Sequence, residues 1–175
     1  MIMPPGLRRL ALTAHIVASV GWFGAVAAFL ALAVVGLVSP DALLVRSAYA
    51  VMSALAWYAI LPLCLASLAT GIIQALGTVW GLFRHYWVLV KLAINLLSTL
   101  ILLVHMRPID AIASIAVAGP IVGGDHLQVR VQMAVASGLA LLALLVATVL
   151  SVYKPQGLTP YGWRTRRARQ VVSRR

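Results

Sequence analysis

Residues 86–106 read YWVLVKLAINLLSTLILLVHM, and this stretch decides the fold. An α-helix rises about 1.5 Å per residue, so about 20 apolar residues cross the hydrocarbon of a bilayer. Lys91 is the only charge in the stretch. Lys91, Asn95, Ser98 and His105 are spaced i, i+4, i+7 and i+14. At about 100° per residue these positions form one stripe on a helix. The rest of the segment is almost entirely aliphatic, so the stripe faces a bundle interior and the remaining surface faces lipid.

Three further runs have the same character. The first extends from about Leu10 to Val38 and is closed by Ser39-Pro40-Asp41, which also caps the next helix. The second extends from about Ala42 to Leu76 with Gly77 as its stop. Pro62 lies near its middle and predicts a kink. The third is the quoted run, Tyr86 to Met106, closed by Arg107-Pro108. The fourth extends from about Val131 to Tyr153, closed by Lys154-Pro155. Between the last two, Ala111 to Val122 is apolar but short and broken by Gly119-Pro120. It is read as lying at the interface or on the bundle, and not as a span. Asp41, Asp110 and Asp125 are placed in loops.

The expected fold is therefore an all-α integral membrane protein, a four-transmembrane-helix bundle. Residues 1–155 form the transmembrane domain and residues 156–175 a basic cytoplasmic tail, irregular at first. Composition agrees. The 175 residues are 63% hydrophobic and 10% charged, with mean hydropathy +1.02. Soluble domains hold about a quarter charged residues. Arg8-Arg9 before an apolar run mimics a signal peptide, but Leu10 to Val38 far exceeds a signal core of about 7–15 residues.

The net charge of +11 raises nucleic acid as a partner. Position argues against it. Half of the Lys and Arg residues come after Tyr153, and most of the others flank the spans. Arg8, Arg9, Arg84 and the run from Lys154 onward fall on one side; Arg46, Arg107 and Arg130 fall on the other. The richer side is cytoplasmic by the positive-inside rule, which puts both termini in the cytoplasm of a cell-membrane protein. Tyr86, Trp87, Tyr153, Tyr161 and Trp163 read as interfacial aromatics on that side. The partners expected are the lipid bilayer, anionic lipid headgroups at the basic tail, and a homo-oligomeric or membrane-complex partner.

Ionisable side chains within spans are functional candidates by default. His15, Ser19 and Trp22 form a stripe on the first span, and Ser67, Thr70, Gly71 and Gln74 one on the second. His15, Lys91 and Gln74 could meet in the cytoplasmic half. On the other side, His105 and His126 could meet, with Arg107 and Arg130 nearby. His126, Arg130, Ser137, Thr148 and Ser151 share a broad face of the fourth span. Cys64 reads as a small core residue, and one cysteine offers neither a disulfide nor a zinc spacing.

There is no Glu, no hydrolase triad, no zincin motif and no P-loop in the sequence. Histidines on facing helices can ligate haem iron, with Arg or Lys pairing the propionates. Two sites are open for a haem b: His105 with His126, or His15 with Lys91 as propionate partner or acid–base group. The metal candidates are thus His15, His105 and His126; whether the chain is an enzyme stays open.

A resemblance bears on this choice. It rests on His15, Gly21-Trp22-Phe23-Gly24, Thr70-Gly71, Tyr86-Trp87-Val88-Leu89-Val90-Lys91-Leu92, and the tail from Ser151-Val152-Tyr153-Lys154-Pro155 through Gly162. In these the chain resembles four-helix bacterial membrane proteins of the copper-resistance D-like and HemJ-type protoporphyrinogen oxidase families. It looks closest to the DUF2269 type. In the HemJ-like family a first-helix histidine and a third-helix lysine are associated with haem or porphyrin, which implies those roles for His15 and Lys91. That family's later first-helix histidine and its arginine have no counterpart in Ala27 to Val38. The resemblance therefore implies haem or porphyrin binding, in an electron-transfer role, without the oxidase activity. The alternatives are a cofactor-free structural or accessory subunit and a small transporter.

Overall fold

The computed structural model describes residues 3–78, 81–119, 121, 126–155 and 157–172. Its elements are α1 (Pro5–Val38), α2 (Ala42–Leu55), a π turn (Ala56–Ile60), α3 (Leu61–Gly77), α4 (Tyr86–Ala118), α5 (Leu127–Tyr153) and α6 (Pro160–Val172). No strand forms among the described residues; a single antiparallel bridge joins His85 to Leu158. Four helical units are long and apolar enough to cross a membrane: Pro5–Val38, Ala42–Gly77, Tyr86–Ala118 and Leu127–Tyr153. The chain is an all-α four-helix bundle with the character of a multi-pass membrane protein.

The four units alternate in direction. α1 packs on α2, α3 and α5, and α4 packs on α2, α3 and α5; among the described residues the diagonal pairs α1/α4 and α3/α5 are not in backbone contact. One end of the bundle, here called basal, carries Pro5, Gly77, Tyr86 and Tyr153. The distal end carries Val38, Ala42, Ala118 and Leu127. Large apolar side chains cover the outside, among them Leu97, Leu100 and Val104 on α4 and Leu139 and Leu142 on α5. The same side chains would be a liability in water and are the expected lipid-facing surface of a bundle. Inside, Trp22, Phe29, Tyr49, Met52, Ile60, Cys64, Met106, Ile112 and Met133 belong to one contiguous core.

The second span does not bend by losing structure at Pro62. The helix widens into the π turn immediately before it, and Leu61 N–H reaches back five residues to the Ala56 carbonyl. Proline supplies no N–H and crowds the carbonyl four residues earlier, so a wider turn relieves the clash.

The third span departs from the expected boundary. Residues 107–118 continue α4 through Pro108, so the helix does not end at Met106. Asp110 is consequently helical and not in a loop. Its carboxylate accepts from Ser53 Oγ at 2.7 Å and from Trp57 Nε1 at 3.1 Å. Ile109, Ile112, Ala113 and Ala116 are buried at i, i+3, i+4 and i+7. That apolar stripe packs the extension on its neighbours and outweighs the break that Pro108 would make in an isolated helix. Ala111 to Ala118 is thus bundle helix; Pro120, Val122 and Asp125 lie outside the described residues.

The tail is more ordered than expected. α6 starts one residue after Thr159, whose hydroxyl accepts from Gly162 N–H at 3.1 Å as a helix cap. Thr159 N–H donates to Arg84 O, and Tyr86 N–H donates to Gly157 O. Gly162 is buried against the Arg84 backbone: a Cβ there would lie 2.5 Å from the Arg84 carbonyl oxygen.

Candidate functional site

The stripes on α1 and α3 face each other in antiparallel register. His15 Nδ1 meets Thr70 Oγ1 at 3.1 Å, and Ser19 Oγ meets Ser67 Oγ at 2.8 Å. Trp22 continues the α1 stripe into the core, only 3% exposed. Each step of about one helical turn on α1 is matched by one turn on α3. Gly71 completes the fit. A Cβ on it would lie 3.1 Å from His15 Cε1, so the imidazole packs closely where glycine carries no side chain.

This arrangement favours one tautomer of His15. The Thr70 hydroxyl proton goes to the Ala66 carbonyl at 2.6 Å. Its oxygen is therefore the acceptor toward His15, and Nδ1 carries the proton. The Ser67 backbone carbonyl is a second hydrogen-bond partner of the ring, and with the proton on Nδ1 the lone pair lies on Nε2. A histidine whose Nδ1–H is held by the protein presents Nε2 as a base or ligand.

Lys91, on the diagonal helix α4, lies within electrostatic reach of His15 and also of Lys154 at the end of α5. Its ammonium sits 5.9 Å from the centre of the Trp87 ring, a cation–π contact. Gln74 and Asn95 complete the set. Gln74 Nε2, a donor, and Asn95 Oδ1, an acceptor, are buried without a hydrogen-bond partner. Buried polar atoms are nearly always paired, so each of these atoms is a point that a ligand or water would satisfy. Asp41 and Asp110 belong to the distal half and Asp125 lies outside the described residues. Among the described residues, then, the basal half holds His15, Lys91 and Lys154 and no carboxylate side chain.

The distal histidines are arranged differently. His105 Nδ1 donates to the Ile101 carbonyl at 2.8 Å, and its Nε2 accepts from Gln132 Nε2 at 3.2 Å. His126 is exposed at the start of α5 with φ of 55°, a left-handed conformation. Gln132 is six residues further along α5, about 9 Å of helix rise from His126. His85, at the basal rim, stacks obliquely near Trp87, with ring centres 6.3 Å apart.

Arg130 is the residue whose position the sequence did not disclose. It is 6% exposed, with Nε donating to Tyr49 Oη at 3.1 Å and Nη2 to the Gly36 carbonyl at 2.6 Å. The three residues come from α1, α2 and α5, so Arg130 clamps the distal end. Gly36 is required there: a Cβ would come within 2.5 Å of Tyr49 Cζ. Other polar residues serve the helices. Cys64 Sγ meets Thr99 Oγ1 at 3.1 Å across α3 and α4, while Ser137, Thr148 and Ser151 bond carbonyls of their own helix.

Among the described residues no three His, Cys, Asp or Glu side chains converge on a metal position. No family model, curated protein or solved structure matches the chain.

Proposed function

We propose that this membrane protein binds a haem or porphyrin in its basal half, with His15 as axial ligand. The observation that carries the reading is the His15–Thr70 bond, which holds the Nδ1 proton and leaves the Nε2 lone pair to act as a ligand. Three further features support it. Gly71 lets the His15 ring pack closely on α3, which holds its orientation. Lys91 supplies a cationic partner for a propionate, and no carboxylate side chain lies in this half among the described residues. The orphaned amides of Gln74 and Asn95 offer a donor and an acceptor to a polar ligand edge. The residues present therefore fit such a group. A bound haem would supply one-electron redox chemistry, tuned by its axial ligand and by burial.

The four histidines of the chain give the basal half only one imidazole at this depth. His105 and His126 are distal and His85 is at the rim. A single protein axial ligand is therefore favoured over a bis-histidine site. The basal end is taken as cytoplasmic, because the basic residues concentrate there.

The test is a titration of detergent-purified protein with haemin and, separately, with metal-free protoporphyrin. Saturable one-to-one binding that develops a Soret shift with haemin and quenches tryptophan fluorescence is expected. His15→Ala should abolish the iron-dependent shift. Equal, non-saturating uptake by the native chain and His15→Ala would mark detergent partitioning and defeat the proposal. The cofactor-free alternative would then stand, with His15–Thr70 and Ser19–Ser67 as ties between helices.

A further inference from the structure

The basal surface offers a second site, independent of the porphyrin reading. α6 has the sequence PYGWRTRRARQVV, with four arginines and no acidic residue. A free basic tail would sample solution. This one is held in place by its first turn. Thr159 Oγ1 donates to the Phe83 carbonyl at 2.6 Å, Thr159 N–H donates to Arg84 O at 3.0 Å, and Leu158 bridges His85. The attachment points, residues 83–86, are where α4 enters the apolar zone. α6 therefore begins at the level of the bilayer surface.

Its side chains match that level. Tyr161 is 59% and Trp163 52% exposed, and Arg164 and Arg167 are exposed as well. Aromatics with a polar tip prefer the headgroup layer, and guanidinium groups bind phosphate in a planar, bidentate fashion. The buried contact of Gly162 with the Arg84 backbone lets the helix lie close to the bundle; any larger residue would lift it.

We propose that α6 is an interfacial helix that binds the headgroups of anionic phospholipids, with Arg164 and Arg167 as contact residues. The folded strap presents these charges to the membrane surface and excludes the disordered reach of a purely topogenic tail. Each basic residue near an anionic surface contributes about 1 kcal/mol, which converts to about fivefold in binding. Removing two is then expected to lower occupancy about 30-fold at low salt.

The full chain is placed in lipid nanodiscs made of phosphatidylcholine alone or with added phosphatidylglycerol. Backbone hydrogen exchange is followed in residues 160–172. Greater protection in the anionic discs is expected, lost at high salt and lost in the Arg164→Gln/Arg167→Gln double variant, whose thermal unfolding should match the native chain. Equal protection in both discs, or protection that survives the double substitution, would overturn the proposal. In phosphatidylcholine discs, a single-stranded oligonucleotide that protects α6 as well as phosphatidylglycerol does would also overturn it, by showing a general polyanion site.

Discussion

Gly36 and Gly24 lie on the same helix, and their surroundings separate their roles. A methyl group at Gly36 would collide with Tyr49, which holds Arg130; at Gly24 nothing lies within 4 Å. Gly36→Ala should destabilise the bundle by about 1–3 kcal/mol, the ordinary cost of overpacking. Gly24→Ala should be neutral or stabilise by up to about 1 kcal/mol, since alanine favours helix over glycine. Thermal unfolding of both variants in one detergent measures the contrast; equal shifts would contradict it. Thr70 is argued differently. Interhelical hydrogen bonds in membranes are worth only about 0.6 kcal/mol on average. Thr70→Val should therefore cost little stability. Yet it removes the acceptor that orients His15, and losing such an outer partner typically weakens a metal site by about 10–100-fold. Haemin titration of Thr70→Val should show that loss without a matching fall in melting temperature.

At the level of the element, the π turn at Ala56–Ile60 sets the phase of everything before it. Deleting the exposed residue Val51, in the α-helical part ahead of the turn, would rotate residues 42–50 by about 100° relative to α3. Tyr49 would leave Arg130. Stranding a buried charge costs about 3–5 kcal/mol, so the deletion should unfold the distal end while leaving the His15–Thr70 register on α1 and α3 in place. Hydrogen exchange resolved by segment would show this as opening in 42–55 and 127–133 with basal protection retained. Sequence patterning revealed much of this architecture and missed part of it. The spans were legible because twenty apolar residues have few other uses. His15, Ser19 and Trp22, and Ser67, Thr70 and Gly71, were legible as facing stripes because their spacing is helical. Pro108 misled, since Arg107, Pro108 and Asp110 together look like a helix end; the signal that corrects it, buried Ile109, Ile112 and Ala116, was present one turn further on. Thr99, one position off the Lys91 stripe, bonds Cys64 and is buried, whereas Arg130 is clamped by Gly36 and Tyr49 from distant parts of the chain. No local pattern encodes either contact.

Across the whole molecule, polarity and charge divide the bundle into two ends. The distal end is locked by Arg130 on Tyr49 and Gly36 and by Arg46 Nη2 donating to the Val117 carbonyl. The basal end holds the His15 imidazole, two orphaned amide atoms and the lysines. A rigid distal clamp with a polar basal interior is a reasonable way to hold a ligand between helices whose association in lipid depends on packing and hydrogen bonding. We infer a cytoplasmic basal end from the distribution of basic residues. A reporter fused after Arg175 that is active only in the cytoplasm should therefore be active, and one active only outside should be silent; the reverse would invert the orientation.

Axial ligation of a bound haem by His15 is open to a direct optical test. The reduced-minus-oxidised visible spectrum is recorded on protein purified from haem-replete cells, for the native chain, His15→Ala and His105→Ala. A haem spectrum is expected in the native protein, lost in His15→Ala and retained in His105→Ala. A native protein without a haem band at full loading, or a band that survives His15→Ala and disappears in His105→Ala, would contradict ligation by His15.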